Sequence, residues 1–149
     1  MIRQEKCIVM DIDGTLCPVK KKDEAYEDLQ PYVDMVKKLQ AYQQDGFYII
    51  LATARNMRTY DGNLGLINAN TARPLFDWLE CHEIPYDEIY FGKPWPGRGG
   101  FYVDDKSIRP QEFLQHSYEE ILELTNCEPF SHENAKSKHT KSTHESVTP

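Results

Sequence analysis

Little in this sequence invites a disulfide, a membrane span or a nucleic-acid backbone. Its four cysteines, Cys7, Cys17, Cys81 and Cys127, are scattered with no C-x-x-C pair. That spacing argues against a zinc knuckle or a thioredoxin-like motif and for reduced thiols in place of a disulfide framework. No apolar run approaches the ~20 residues of a membrane helix, and the opening MIRQEK is charged and leads straight into IVMDIDGT, without the apolar core of a signal peptide. The expectation is a cytoplasmic protein with no membrane contact. Basic residues are outnumbered, 17 Lys and Arg against 24 Asp and Glu, for a formal net charge of -7. Such a balance disfavours non-specific binding to phosphate backbones, so nucleic acid is not expected as a partner. There is no internal repeat.

What is present fits one α/β domain. At 149 residues and 40% hydrophobic, a single core can bury roughly 70% of the surface that the unfolded chain exposes. KCIVMD (6–11) and FYIILA (47–52) are short apolar runs, rich in β-branched or aromatic residues, that read as fully buried parallel strands. Between them Pro31 suits a first helical turn, Val33, Val36, Leu39 and Tyr42 recur at helical spacing, and Asp45-Gly46 supplies a stop. A second helix is predicted over 74–82, where Leu75, Trp78, Leu79 and His82 share one face, with DEIYFG (87–92) as a third strand and FYVDD (101–105) as a fourth. Ser117 and Glu120 have capping-box spacing ahead of Ile121, Leu122 and Leu124. Strands alternating with helices predict a Rossmann-like three-layer sandwich with a mostly parallel sheet. The predicted domain covers 1–127. From 128 to 149 the chain turns to Ser, Thr, Lys and His with almost no apolar residues, and a disordered tail is predicted.

In open α/β sheets, ligands sit outside the carboxyl ends of the strands, and the notable polar residues fall there. Asp11 and Asp13 follow the first strand, Thr53 the second and Lys93 the third, while Asp104 and Asp105 end the predicted fourth. Taken singly, each has a plain explanation as turn, cap or solvated surface. Together they would gather up to four carboxylates, a repulsion that a hard divalent cation relieves. Mg²⁺ prefers oxygen ligands, keeps several waters and binds through one or two carboxylates plus substrate phosphate. Lys93, the Thr53 hydroxyl and backbone amides of the Asp13-Gly14-Thr15 turn could hold the oxygens of a phosphoryl group. Residues i and i+2 of a strand point the same way, so Asp11 and Asp13 can face one phosphate while Ile12 turns into the core. Gly14 permits the sharp exit.

DIDGT, a hydrophobic strand ending in Thr (ILAT), an isolated Lys in GKP, and VDD, in that order, resemble the four motifs of the haloacid dehalogenase (HAD) superfamily. The resemblance implies a Mg²⁺-dependent phosphatase. By its motifs Asp11 matches the nucleophile, which forms an aspartyl-phosphate, and Asp13 the general acid/base. Asp11, Asp13 through its backbone carbonyl, and Asp104 or Asp105 would ligate Mg²⁺; Thr53, Lys93, Gly14 and Ala54 would contact the phosphoryl group. TARNMRTYDGNLGLIN with PYDEIYFGKPW and GFYVDDKSIRP further resembles bacterial HAD proteins linked to capsule polysaccharide biosynthesis. The substrate that this implies is a sugar phosphate or a nucleotide-linked precursor of surface polysaccharide.

Many HAD enzymes carry a cap domain that reads the substrate. Here roughly 40 residues separate Asp13 from Thr53, and as many separate Thr53 from Lys93, most of them claimed by a helix and a strand. A full cap does not fit, so the site should be open to a bulky substrate or covered by a second copy in a homo-oligomer. The stretch 56–71 is longer than most connections. It is expected to wall the substrate, with Arg55 and Arg58 available for a second anionic group, Asn63 nearby, and Trp95 able to stack on a sugar or base. Two alternatives remain open at this point: a capless phosphatase of macromolecules, acting on phosphoprotein or nucleic-acid 3'-phosphate, and a non-catalytic sensor of phosphorylated ligands.

Overall fold

The computed structural model describes residues 5–126. The tail predicted at 128–149, with His132, His139 and His144, lies outside the described residues. The chain divides into two compact units, Met1–Val103 and Asp104–Pro149.

The first unit is built on three parallel strands, β1 (Cys7–Met10), β2 (Tyr48–Thr53) and β3 (Glu88–Phe91), in the order β1-β2-β3. Together with helices this makes an open α/β sheet. Met10 pairs with Leu51, and Thr53 with Phe91. The central β2 has a strand on each side, and its Ile49, Ile50 and Leu51 are buried. β1 departs from the sequence expectation of a fully buried strand. Its residues alternate: Met10 is buried, as is Ile12 just beyond the strand, whereas Val9 is 67% exposed. One face packs, and the other does not.

The helices follow their apolar spacing. Helix α1 (Val33–Gln44) buries Met35, Val36, Leu39 and Tyr42, while Val33 stays exposed. Its end is set by Gly46, which adopts φ +87 and donates its N–H to Gln43 O, while Phe47 N–H reaches back to Tyr42 O. That left-handed step after the last turn is one glycine takes without a Cβ penalty. The long connection 56–71 contains a helix that the sequence reading missed, α2 (Leu64–Asn70), whose N-terminus is capped by Asn63 Oδ1 accepting from Leu66 N–H at 3.1 Å. Helix α3 (Ala72–Cys81) buries Leu75, Trp78 and Leu79. Trp78 Nε1–H donates to Leu29 O at 2.8 Å, tying α3 to the segment just after a single 3-10 turn at Tyr26–Asp28.

The predicted fourth strand is absent: 101–105 forms no strand, and Phe101 and Val103 are 79% and 89% exposed. Aromatic and β-branched residues favour a strand only where a neighbour accepts their backbone bonds, and no described strand pairs with this segment. The second unit holds α4 (Pro110–Gln115), also missed, and α5 (Tyr118–Thr125). At α5 the predicted capping box is formed: Ser117 Oγ accepts from Glu120 N–H, and Glu120 Oε2 accepts from Ser117 N–H. The backbone N–H of Ser117, and then the hydrogen bond with the His116 ring, hold the Glu120 carboxyl below its ordinary range. No described helix is long and apolar enough to cross a membrane.

Trp78→Phe removes the donor to Leu29 O from a buried place, and leaving such an acceptor unmade costs about 1–3 kcal/mol. Denaturant unfolding should show a loss of that size. Trp95→Phe, at a residue 43% exposed, should stay within about 0.5 kcal/mol of the parent.

Candidate active site

Because β1, β2 and β3 are parallel, their carboxyl ends lie on one side of the sheet, and each delivers polar groups there. After Met10 the chain turns sharply. Ile12 O accepts from the N–H groups of Thr15, Leu16 and Cys17 at 3.1, 2.8 and 3.3 Å, and Gly14, at φ +84, donates its N–H to Cys17 O at 2.7 Å. Ile12 is fully buried and anchors the turn. The amides of Gly14 and Thr15, expected as donors to a phosphoryl group, are here engaged within the turn. Thr53 ends β2 almost completely buried, its Oγ1 accepting from Arg55 N–H at 3.0 Å and its carbonyl from Lys93 N–H at 3.1 Å. That last bond carries the ladder one step past β3 and sets Lys93 beside β2's end. The carbonyl of Ala54 accepts from Met57 N–H, starting the turns that lead to Asn63.

The two carboxylates are held separately. Asp11 Oδ1 lies 3.3 Å from Lys93 Nζ, and its Oδ2 accepts from Thr15 Oγ1–H at 2.9 Å. Asp13 takes both arms of Arg55: Nε donates to Oδ2 at 3.1 Å and Nη2 to Oδ1 at 2.8 Å. Such a fork is stronger and more directional than a single point contact. Arg55 is buried, and its guanidinium carbon sits 4.2 Å from the centroid of the Tyr26 ring. The guanidinium that the sequence reading made available for a second anionic group is engaged here with Asp13 and the Tyr26 ring. Asn63 is likewise occupied as the cap of α2.

The more exposed side of the site is aromatic and cationic. Lys93 Nζ stands 4.6 Å from the Tyr102 ring, whose hydroxyl donates to Pro94 O, and Arg58 lies over Trp95 at 5.8 Å. Burial, and then the nearby Asp11 charge, push the Tyr102 phenol up. Of the predicted residues, then, the first unit brings Asp11, Asp13, Thr53 and Lys93 together. Asp104 and Asp105 belong to the second unit, where Asp104 Oδ1 accepts from Lys106 N–H at 2.8 Å. Among the described residues no group of three or more His, Cys, Asp or Glu is arranged to hold a metal ion. Sequence reasoning missed the Thr15 hydroxyl, Tyr26 and Tyr102. Thr15 stands four residues after Asp11 in a turn, a detectable signal, whereas nothing local marks Tyr26 or Tyr102.

Cys17 Sγ lies 3.7 Å from Asp13 Oδ1 and is fully buried. Burial first, and the Asp13 charge next, push its thiol up to about 12. A raised value means that the unfolded chain ionises first, so the stability linked to this thiol is complete below its ordinary value of 9.0 and is lost as pH rises towards 12. Iodoacetamide at pH 8 should label the exposed Cys81 and leave Cys17 unlabelled until denaturant is added, as read by peptide mass spectrometry.

No protein-family model matches the chain, and no curated protein resembles it closely enough to count as a match. Among solved structures, D,D-heptose 1.7-bisphosphate phosphatase from B. bronchiseptica, complexed with magnesium and phosphate, is 17% identical with a TM-score of 0.42, over 63% of this chain and 53% of that one. Such a superposition is too loose to bear on this chain's chemistry. The crystal structure of an MCSG target from Vibrio cholerae is 46% identical with a TM-score of 0.78, covering 83% of this chain and 99% of that one. With that identity over nearly the whole length of its neighbour, the chain belongs to the same family as this Vibrio cholerae protein.

Proposed function

We propose that this protein is a HAD-type, Mg²⁺-dependent phosphatase that hydrolyses phosphomonoesters through an aspartyl-phosphate on Asp11. The observation that carries the reading is the convergence, at the ends of three parallel strands, of Asp11, Asp13, Thr53 and Lys93, with Asp11 held by Lys93 at 3.3 Å and Thr15 at 2.9 Å. It is supported by the order of DIDGT, ILAT, GKP and VDD along the chain.

The chemistry divides into two displacements. In the first, an Asp11 oxygen attacks phosphorus, the ester P–O bond breaks, and the leaving oxygen takes a proton from the Asp13 carboxyl. In the second, the Asp13 carboxylate takes a proton from water as that water attacks phosphorus, and the Asp11 carboxylate departs. One hard step becomes two easier ones. In this reading the Lys93 ammonium and the Thr53 hydroxyl stabilise charge on the non-reacting phosphoryl oxygens. The Asp11 carboxylate and the Asp13 carbonyl are hard oxygens from one strand end, the donor type that Mg²⁺ prefers. When bound, Mg²⁺ would offset the negative charge of phosphate and carboxylate together.

For the substrate, the reading is a phosphorylated sugar or a nucleotide-linked precursor of capsule or surface polysaccharide. It is supported by the half-exposed Trp95 with Arg58 over its face, a platform on which a ring carrying a second anionic group could lie.

Phosphate release from a panel of sugar phosphates, nucleotides and phosphopeptides should depend on Mg²⁺ and vanish with EDTA. Asp11→Asn should fall to background; persisting release would remove Asp11 as nucleophile. Asp13→Asn should lose about 10²–10⁴-fold in kcat, the range for a general acid/base. Release confined to phosphopeptides would overturn the sugar-phosphate assignment. Arg58→Ala should raise KM for the best sugar or nucleotide substrate while leaving that for para-nitrophenyl phosphate unchanged.

A further inference from the structure

We propose that Arg55 is a positioning residue for the proton-transferring carboxylate of Asp13, and that the face of Tyr26 is what holds Arg55 to that task. The inference rests on the phosphatase reading. Asp13 has to serve two oxygens in succession, that of the departing alcohol and that of the attacking water, so its carboxylate must keep one orientation through both displacements.

The geometry supplies that constraint from the side away from solvent. The Arg55 side chain is 3% exposed, against 20% for Asp13, and Nε and Nη2 engage both oxygens of one carboxylate at 3.1 and 2.8 Å. Two parallel bonds resist rotation of the carboxylate in a way that one ammonium cannot. The backbone adds a second anchor, because Arg55 N–H donates to Thr53 Oγ1. Tyr26 closes the other side: its ring lies 4.2 Å from the guanidinium carbon, and Lys20 Nζ lies over the same ring at 5.4 Å. To meet a substrate anion, Arg55 would have to leave a buried fork and an aromatic face together. Arg58, over the half-exposed Trp95, faces no such barrier.

Steady-state kinetics on para-nitrophenyl phosphate with Mg²⁺ separate the roles, with Asp11→Asn as the control for the reaction itself. Arg55→Ala should lower kcat about 10²-fold, the scale of a misplaced catalytic group, with KM within about twofold of the parent. Added guanidinium ion should restore part of that loss, and Arg55→Lys should not. Tyr26→Leu should lower kcat about tenfold, equivalent to about 1.4 kcal/mol and within reach of a desolvated cation–π contact. Tyr26→Phe, which keeps the ring face, should regain what Tyr26→Leu loses. In an Asp13→Asn background, Arg55→Ala should bring little further loss, because its target is already gone. Thermal melts identify a variant that does not fold, and Arg55→Gln then replaces Arg55→Ala. A raised KM at intact kcat, or full additivity with Asp13→Asn, would overturn the positioning role while leaving the phosphatase reading in place. A parent protein with no Mg²⁺-dependent turnover would remove both.

Discussion

Two carboxylates one residue apart can share a strand end only if their mutual repulsion is answered, and here each has a cation of its own. Lys93, from the end of β3, meets Asp11; Arg55, just past the end of β2, meets Asp13. The arrangement depends on strand direction. With β2 and β3 parallel to β1, the residues after each strand emerge on the same side of the sheet. Reversing either one would carry its cation to the opposite end and leave a carboxylate unpaired in a partly dry setting, where such a charge is costly. Parallel pairing is thus a condition of the site as well as of the fold.

The two ion pairs are not equivalent, and the difference divides the site into a fixed side and an accessible one. Arg55 and Asp13 sit deeper, with a two-armed contact, the Tyr26 ring and the buried Cys17 around them. Lys93 and Asp11 make a single longer contact with more of each side chain in water, beside Tyr102. Rearranging the Lys93–Asp11 contact would leave the buried Arg55–Asp13 fork intact. Asp13 would stay where its partner keeps it.

Much of this could be read from the residues alone, and the failures have physical causes. The strands of the first unit announced themselves through β-branched and aromatic runs, and α1, α3 and α5 through apolar spacing and, for α5, the Ser117–Glu120 box. The side chains of Asp11, Thr53 and Lys93 were recognisable because strand ends are where polar groups collect. Phe101 and Val103 misled because composition reports a residue's preference and says nothing about whether a neighbouring strand is there to satisfy it. Helix α2 was hidden by the Asn and Gly of 56–71, which also suit loops, although Asn63 was acting as a cap. Arg55, two residues past the threonine that ends β2, looks in the sequence available to an anion. Only the fold shows that an anion 42 residues earlier already holds it.

The contacts that make the site join positions 82 and 42 residues apart. Closing loops of that length exacts entropy that nearby contacts do not repay until most of the sheet exists. A chain emerging from the ribosome therefore carries its DIDGT segment for a long interval as two unopposed acids. The Asp11–Lys93 contact can form only when synthesis has passed Lys93.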